Sequence, residues 1–165
     1  MATPRVRRLS HDGEPMMVPQ LLAADQPGFM IVDATWGTIQ PLELAPGVRT
    51  LGELEVIERL TAGLLLVDSR EPHFYAHCTI PGARNIPHPD VVQRRDELAP
   101  GTPTVFFCNG PQCTATPNAA HALLDAGHPA ELILYYRGGM HDWLTLGLQT
   151  VAGHDQPGAP ADPNR

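Results

Sequence analysis

Val105-Phe106-Phe107-Cys108-Asn109-Gly110-Pro111-Gln112-Cys113-Thr114-Ala115-Thr116-Pro117-Asn118-Ala119-Ala120 is the stretch on which the fold turns. A β-branched and aromatic run ends at a cysteine, and a Gly/Pro loop follows. Thr116-Pro117 then reads as a helix start, with Thr as N-cap and Pro at the first helical position. Strand, tight loop and helix in that order place the Cys108 thiol at a strand tip facing a helix N-terminus. Free backbone N–H groups and the positive end of the helix dipole favour thiolate over thiol there. The same loop offers a small anion a seat against the sulfur. The plain alternative is a buried cysteine closing a core strand. A second cysteine five residues on, Cys113, argues against an inert role.

Outward from this stretch the chain alternates short apolar runs with helical patterns. Residues 29–34, 64–68, 104–107 and 131–136 read as strands, and Leu64-Leu65-Leu66-Val67-Asp68 is too short an apolar run for a helix. Thr50-Leu51-Gly52-Glu53 has capping-box spacing, and Leu51, Leu54, Val56, Ile57 and Leu60 supply an apolar stripe for a helix to about Leu60. Further helices are expected over 70–78, 91–98, 117–126 and 140–146, with Gly127 closing the helix after the cysteine loop. Strands alternating with helices predict a single α/β domain: a central, mainly parallel sheet flanked by helices on both faces. Ligands then sit at the carboxyl ends of the strands, where Cys108 lies. The expected organisation is an N-terminal extension over 1–47, partly ordered with an extra strand, a domain over 48–151, and a disordered Gly/Pro/Asp/Asn tail over 152–165.

Composition excludes several function classes. Eleven basic against eighteen acidic side chains give a formal charge of −7 in 165 residues, with no basic run, which argues against nucleic acid or an anionic membrane as partner. No apolar stretch approaches the ~20 residues of a membrane span. No apolar segment follows the arginines of Met1–Ser10, so no signal peptide is visible and a cytoplasmic location is expected. Three cysteines, an odd count, suit free thiols in a reducing compartment better than a disulfide framework.

Four segments carry a family resemblance. Val67-Asp68-Ser69-Arg70-Glu71-Pro72, then Thr79-Ile80-Pro81-Gly82-Ala83-Arg84-Asn85-Ile86-Pro87, then Phe107-Cys108, then Tyr136-Arg137-Gly138-Gly139-Met140-His141-Asp142-Trp143 resemble the rhodanese (thiosulfate sulfurtransferase-like) domain in its usual order. Cys108-Asn109-Gly110-Pro111-Gln112-Cys113 is similar to the active loop of a bacterial single-domain subgroup with two cysteines. The resemblance implies a persulfide enzyme. Its thiolate takes a sulfane sulfur from a thiosulfate- or polysulfide-type donor and passes it to a thiol, a protein sulfur acceptor or cyanide. No cofactor and no metal are implied; His77, Cys78, Cys108 and Cys113 lack the Cys-x2-Cys spacing of a zinc site.

The chemistry of the residues agrees. Sulfur transfer needs a nucleophilic thiolate and stabilisation of an anionic persulfide, and loop N–H groups at a helix N-terminus supply the latter. Asn109, Gly110, Gln112, Cys113 and Thr114 can donate main-chain N–H groups, Pro111 cannot, and Thr116 completes the cradle. Cys108, at the strand end, is the expected nucleophile; Cys113 is the alternative nucleophile or a resolving thiol. Two features depart from the family: no Arg or Lys lies between Cys108 and Thr116, and Thr79 stands where a His is commoner. Binding of a charged donor then falls to main-chain dipoles and to Arg70 or Arg137 reaching in. Arg70 also reads as the partner of Asp68 buttressing the strand end. Trp143 reads as core, Cys78 as a buried or half-exposed thiol, and His121 and His141 as surface histidines. Three other classes compete: a phosphatase or arsenate reductase, which wants a Cys-x5-Arg loop where this chain has Thr114; a Cys108/Cys113 dithiol redox protein; and a non-catalytic interaction module.

Overall fold

The computed structural model describes residues 20–23, 30–33 and 39–155. Two short strands, β1 (Gln20–Ala23) and β2 (Met30–Asp33), pair antiparallel as a separate ribbon. The sheet of the domain has five strands: β3 (Arg49–Leu51), β4 (Leu66–Asp68), β5 (Arg84–Asn85), β6 (Thr104–Phe107) and β7 (Ile133–Tyr136). They lie in the order β3-β7-β6-β4-β5, and every pairing is parallel. The strand that delivers Cys108 is therefore central, flanked by β4 and β7.

Burial on both faces explains the sequence of β6. Phe106 and Phe107 are both fully buried but point opposite ways. Phe106 packs with Val67, Tyr135 and the Ala119, Ala120 and Leu123 side chains of α3 (Ala115–Asp125). Phe107 packs on the other face with Val56 of α1 (Glu53–Thr61) and Met140 and Trp143 of α4 (Gly139–Thr145). A short helix, α2 (Pro72–His77), follows β4 and buries Tyr75. The α/β architecture with helices on both faces matches expectation. Among the described residues no helix is long and apolar enough to cross a membrane.

Four local readings need correction. Thr50 does not cap α1: residues 49–51 are drawn into the sheet edge as β3, and the Thr50 hydroxyl donates to the Leu42 carbonyl. Gly52 becomes the N-cap, and its N–H donates to the Glu55 carboxylate at 3.1 Å. The stripe rotates with it. Val56 is buried, whereas Leu54 (77 % exposed) and Ile57 face outward, because residues two apart on a helix cannot share a face. Residues 91–98 form no α-helix; two 3-10 turns, His88–Asp90 and Arg95–Glu97, each run into a buried anchor, Val91 and Leu98, and Arg95, Asp96 and Glu97 stay exposed. The helix after the cysteine loop starts at Ala115, so Thr114 is its N-cap and Thr116 is its second residue. Gly127 does close it, its N–H bonded to the Leu124 carbonyl at 2.9 Å. Residues 153–155 form a 3-10 turn, with His154 Nδ1 3.1 Å from the Ala76 carbonyl; the first dozen residues and the end of the tail lie outside the described residues.

Candidate active site

The loop from Asn109 to Thr114 is held from three sides. The Cys108 and Asn109 carbonyls accept from the Met140 and His141 N–H groups at 3.0 and 2.7 Å, which docks the loop on the start of α4. That approach requires Gly139: it has φ +54°, and a Cβ there would collide with the Cys108 carbonyl oxygen. The Gly110 carbonyl accepts from Cys113 N–H at 3.0 Å, closing a turn around Pro111. On the outer side the Pro111 carbonyl accepts from Gln40 N–H at 2.6 Å, and the Gln40 carbonyl accepts from Arg137 Nε at 2.8 Å.

Behind the loop lies a fully buried ion pair. Arg70 donates through Nε to Asp68 Oδ1 at 2.9 Å and through Nη2 to Asp68 Oδ2 at 2.6 Å. Nη2 also reaches the Cys78 carbonyl at 2.6 Å, and Nη1 donates to Asn109 Oδ1 at 3.1 Å. The Thr79 hydroxyl adds a bond to Asp68 Oδ2 at 2.8 Å, so the position where a His is commoner completes the carboxylate's shell. Arg70 thus ties β4 to the first residue after Cys108 and spends its N–H groups on protein acceptors. Arg137 is likewise engaged with Gln40, whereas Arg70 reaches the loop at Asn109 through a guanidinium already paired with Asp68.

The Cys108 sulfur is buried and faces the first turn of α3. Burial pushes its thiol up, but the neighbouring Cys113, Thr116 and Gly110 outweigh burial and bring it down from the ordinary 9.0 to about 7. The Thr116 hydroxyl, buried in that first turn, has no hydrogen-bond partner among the described residues. The later helix start makes this geometry: at the second helical position the Thr116 N–H is one of the orphan donors of the first turn. Cys113 behaves oppositely. Its proton is held in the hydrogen bond to Cys108, and that bond together with burial pushes its thiol well up.

The predicted cradle is therefore only partly realised. Gly110 and Thr116 face Cys108, while the Asn109 and Ala115 N–H groups face Cys113. The Cys113 N–H is spent within the loop, Gln112 is buried, and Thr114 is exposed with no side-chain capping bond. Among the described residues no group of three His, Cys, Asp or Glu side chains is placed to hold a metal ion.

A family model described as a rhodanese-like domain matches residues 54–146, more than half of the chain. The chain belongs to the rhodanese-like domain family. Over 100 residues it is 34 % identical to an HTH-type transcriptional regulator of Mycobacterium tuberculosis, a match covering 60 % of this chain and 43 % of that protein. The chain thus spans less than half the length of that curated relative. Among solved structures, the thiosulfate sulfurtransferase of Pseudomonas aeruginosa is 28 % identical with a TM-score of 0.55, over 69 % of this chain and 22 % of that one. The rhodanese-like domain of an Anabaena sp. protein is 23 % identical with a TM-score of 0.53, over 72 % and 89 % of the two chains, and shares the fold.

The rhodanese-like domain also holds residues near the thiol that sequence reading missed. His141 is not a surface histidine. Its side chain is 12 % exposed, its Nδ1 lies 2.8 Å from Asp142 Oδ1, and a Cβ on Gly110 would press on it at 2.8 Å. His121 is exposed as expected, and Trp143 is core, its ring edge-on to Tyr136 and its Nε1 bonded to the Gln149 carbonyl at 2.8 Å. Ser69 follows Asp68, the partner of Phe107, so it stands beside Cys108; Tyr135 is the partner of Phe106. The alternation of strand residues, applied to neighbouring strands at once, would have found both had the strand order been known.

Proposed function

We propose that this rhodanese-like domain is a sulfurtransferase that works through a persulfide on Cys108. The observation that carries the reading is the buried Cys108 sulfur, set at the end of β6 against the first turn of α3, where its surroundings lower its thiol. The Cys108 thiolate attacks the outer sulfur of a thiosulfate- or polysulfide-type donor, the donor's S–S bond breaks, and sulfite or the shortened polysulfide leaves with the electron pair. A thiolate or cyanide acceptor then attacks the outer sulfur of the persulfide, and the Cys108 thiolate is the leaving group. Each step begins and ends with an anion on sulfur, which the main-chain donors stabilise. Supporting this, Ser69 Oγ, Asn109 Nδ2 and Tyr135 Oη are buried polar atoms without hydrogen-bond partners among the described residues. Such atoms are costly to leave unpaired, and an added anionic sulfur gives them an acceptor. The likeness to a thiosulfate sulfurtransferase points the same way.

The test is intact mass after incubation with thiosulfate or an inorganic polysulfide. One added sulfur atom that persists in Cys113→Ser and vanishes in Cys108→Ser is the expected result. No uptake, or uptake independent of Cys108, refutes the reading. A second reading rests on the regulator relative: a module whose Cys108 state is sensed by a partner rather than turned over. Uptake of sulfur with no catalytic turnover to cyanide or a thiol would favour it.

A further inference from the structure

The two loop cysteines pack together with Ala115 in one buried cluster that does not include the third cysteine. The Cys108 Sγ also lies 3.7 Å from the Cys113 carbonyl oxygen. The turn closed by the Cys113 N–H to the Gly110 carbonyl folds the loop back, so the second thiol meets the first within five residues of chain. Neither is in a disulfide, and Cys78 packs instead against the cluster on the Phe107 face of the sheet.

A nucleophile's main-chain cradle requires none of this. A hydrogen-bond donor at position 113 could be a main-chain N–H, yet that N–H is committed to Gly110 and the side chain is a redox-active thiol. From the pairing of the two sulfurs we propose that Cys113 is a resolving cysteine, so that the domain releases hydrosulfide and passes through a Cys108–Cys113 disulfide. The inference rests on the persulfide reading above. Cys113 Sγ attacks the inner sulfur, Cys108 Sγ, and a Cys113–Cys108 bond forms as the bond from Cys108 to the outer sulfur breaks. The outer sulfur leaves with the electron pair and takes the Cys113 proton as hydrosulfide. The sulfane sulfur is reduced and the two cysteine sulfurs are oxidised to a disulfide, which a cellular dithiol or two equivalents of monothiol reduce to restart the cycle. Attack from a thiol already in contact needs no encounter step, so release without external thiol is at least about tenfold faster than in a chain lacking Cys113.

Two experiments on the full chain decide it. In the first, wild type and Cys113→Ser are loaded with thiosulfate, desalted without thiol, and followed for sulfide release and intact mass. A stoichiometric burst from the wild type, leaving a chain two hydrogens lighter than the reduced form, with Cys113→Ser holding its sulfur until thiol is added, is the result expected. If both proteins keep their sulfur equally long, the resolving role is overturned while the persulfide reading stands. If neither takes up sulfur, the persulfide reading falls and the inference with it. In the second, the unloaded protein is equilibrated in oxidised and reduced glutathione and its cysteines are mapped. A Cys108–Cys113 disulfide with Cys78 free is expected; failure to form it in the folded protein overturns the inference whatever the loading result.

Discussion

The hydrogen bond from Cys113 to Cys108 has a consequence that a single substitution exposes. Cys113→Ala removes one donor from the Cys108 thiolate and leaves the loop backbone intact. The groups around the Cys108 thiol lower it to about 7 although burial acts against them. One hydrogen bond to a charged group contributes about 1.5–3 kcal/mol, or roughly one to two pH units. The midpoint in Cys113→Ala should therefore rise to roughly 8–9, and the thiolate share at pH 7 should fall from about half to about a tenth or less. The assay is the rate of iodoacetamide alkylation of Cys108 against pH, read by peptide mapping so that Cys78 does not contribute. Wild type titrates near 7; Cys113→Ala is about fivefold slower or more at pH 7 and joins the wild-type rate at a pH where both are ionised. Cys113→Ser, which keeps a donor, lies between. Equal midpoints in wild type and Cys113→Ala would refute the thiol–thiolate bond, and a lower plateau at every pH would point to altered access instead. The sign for stability follows. The folded value of Cys108 lies below the unfolded one, so its contribution is full above about 9 and is lost as pH falls through about 7.

Arg70→Met strands the buried Asp68 carboxylate and should lower stability by about 3–5 kcal/mol, seen as a lower urea midpoint, with Arg70→Met/Asp68→Leu recovering part of it; an unshifted midpoint would show that the pair carries no weight. Thr114→Arg places a cation at the exposed, uncapped start of α3, so it should leave stability within about 0.5 kcal/mol and speed loading from dianionic thiosulfate, an advantage that fades with salt. No gain at low salt would mean that the side chain does not reach the donor's path.

What sequence alone determined about this protein is local chemistry with a strong period. The run Thr104–Phe107 reads as a strand buried on both faces, because Val105, Phe106 and Phe107 in succession leave neither face polar. Gly and Pro after Cys108 ended it, and the alternation of such runs with helical patterns implied the parallel sheet and placed Cys108 at a carboxyl end. Where periods compete, the sequence left the outcome open. Residues 49–51 carry a capping-box pattern, and their place as β3 depends on β7, more than eighty residues away, offering an open edge. That pairing moved the start of α1 and turned Leu54 and Ile57 outward. The Asp68–Arg70 pair is legible in the sequence, but the bond from Arg70 to Asn109 and the approach of His141, Gln40 and Arg137 to the loop are contacts between segments distant in sequence. So is the division of labour between the two cysteines. Both stand in one loop and are chemically alike; only the folded loop spends the Cys113 N–H on Gly110 and sets Cys108 against the first turn of α3, because hydrogen-bond partners are assigned by space rather than by order along the chain.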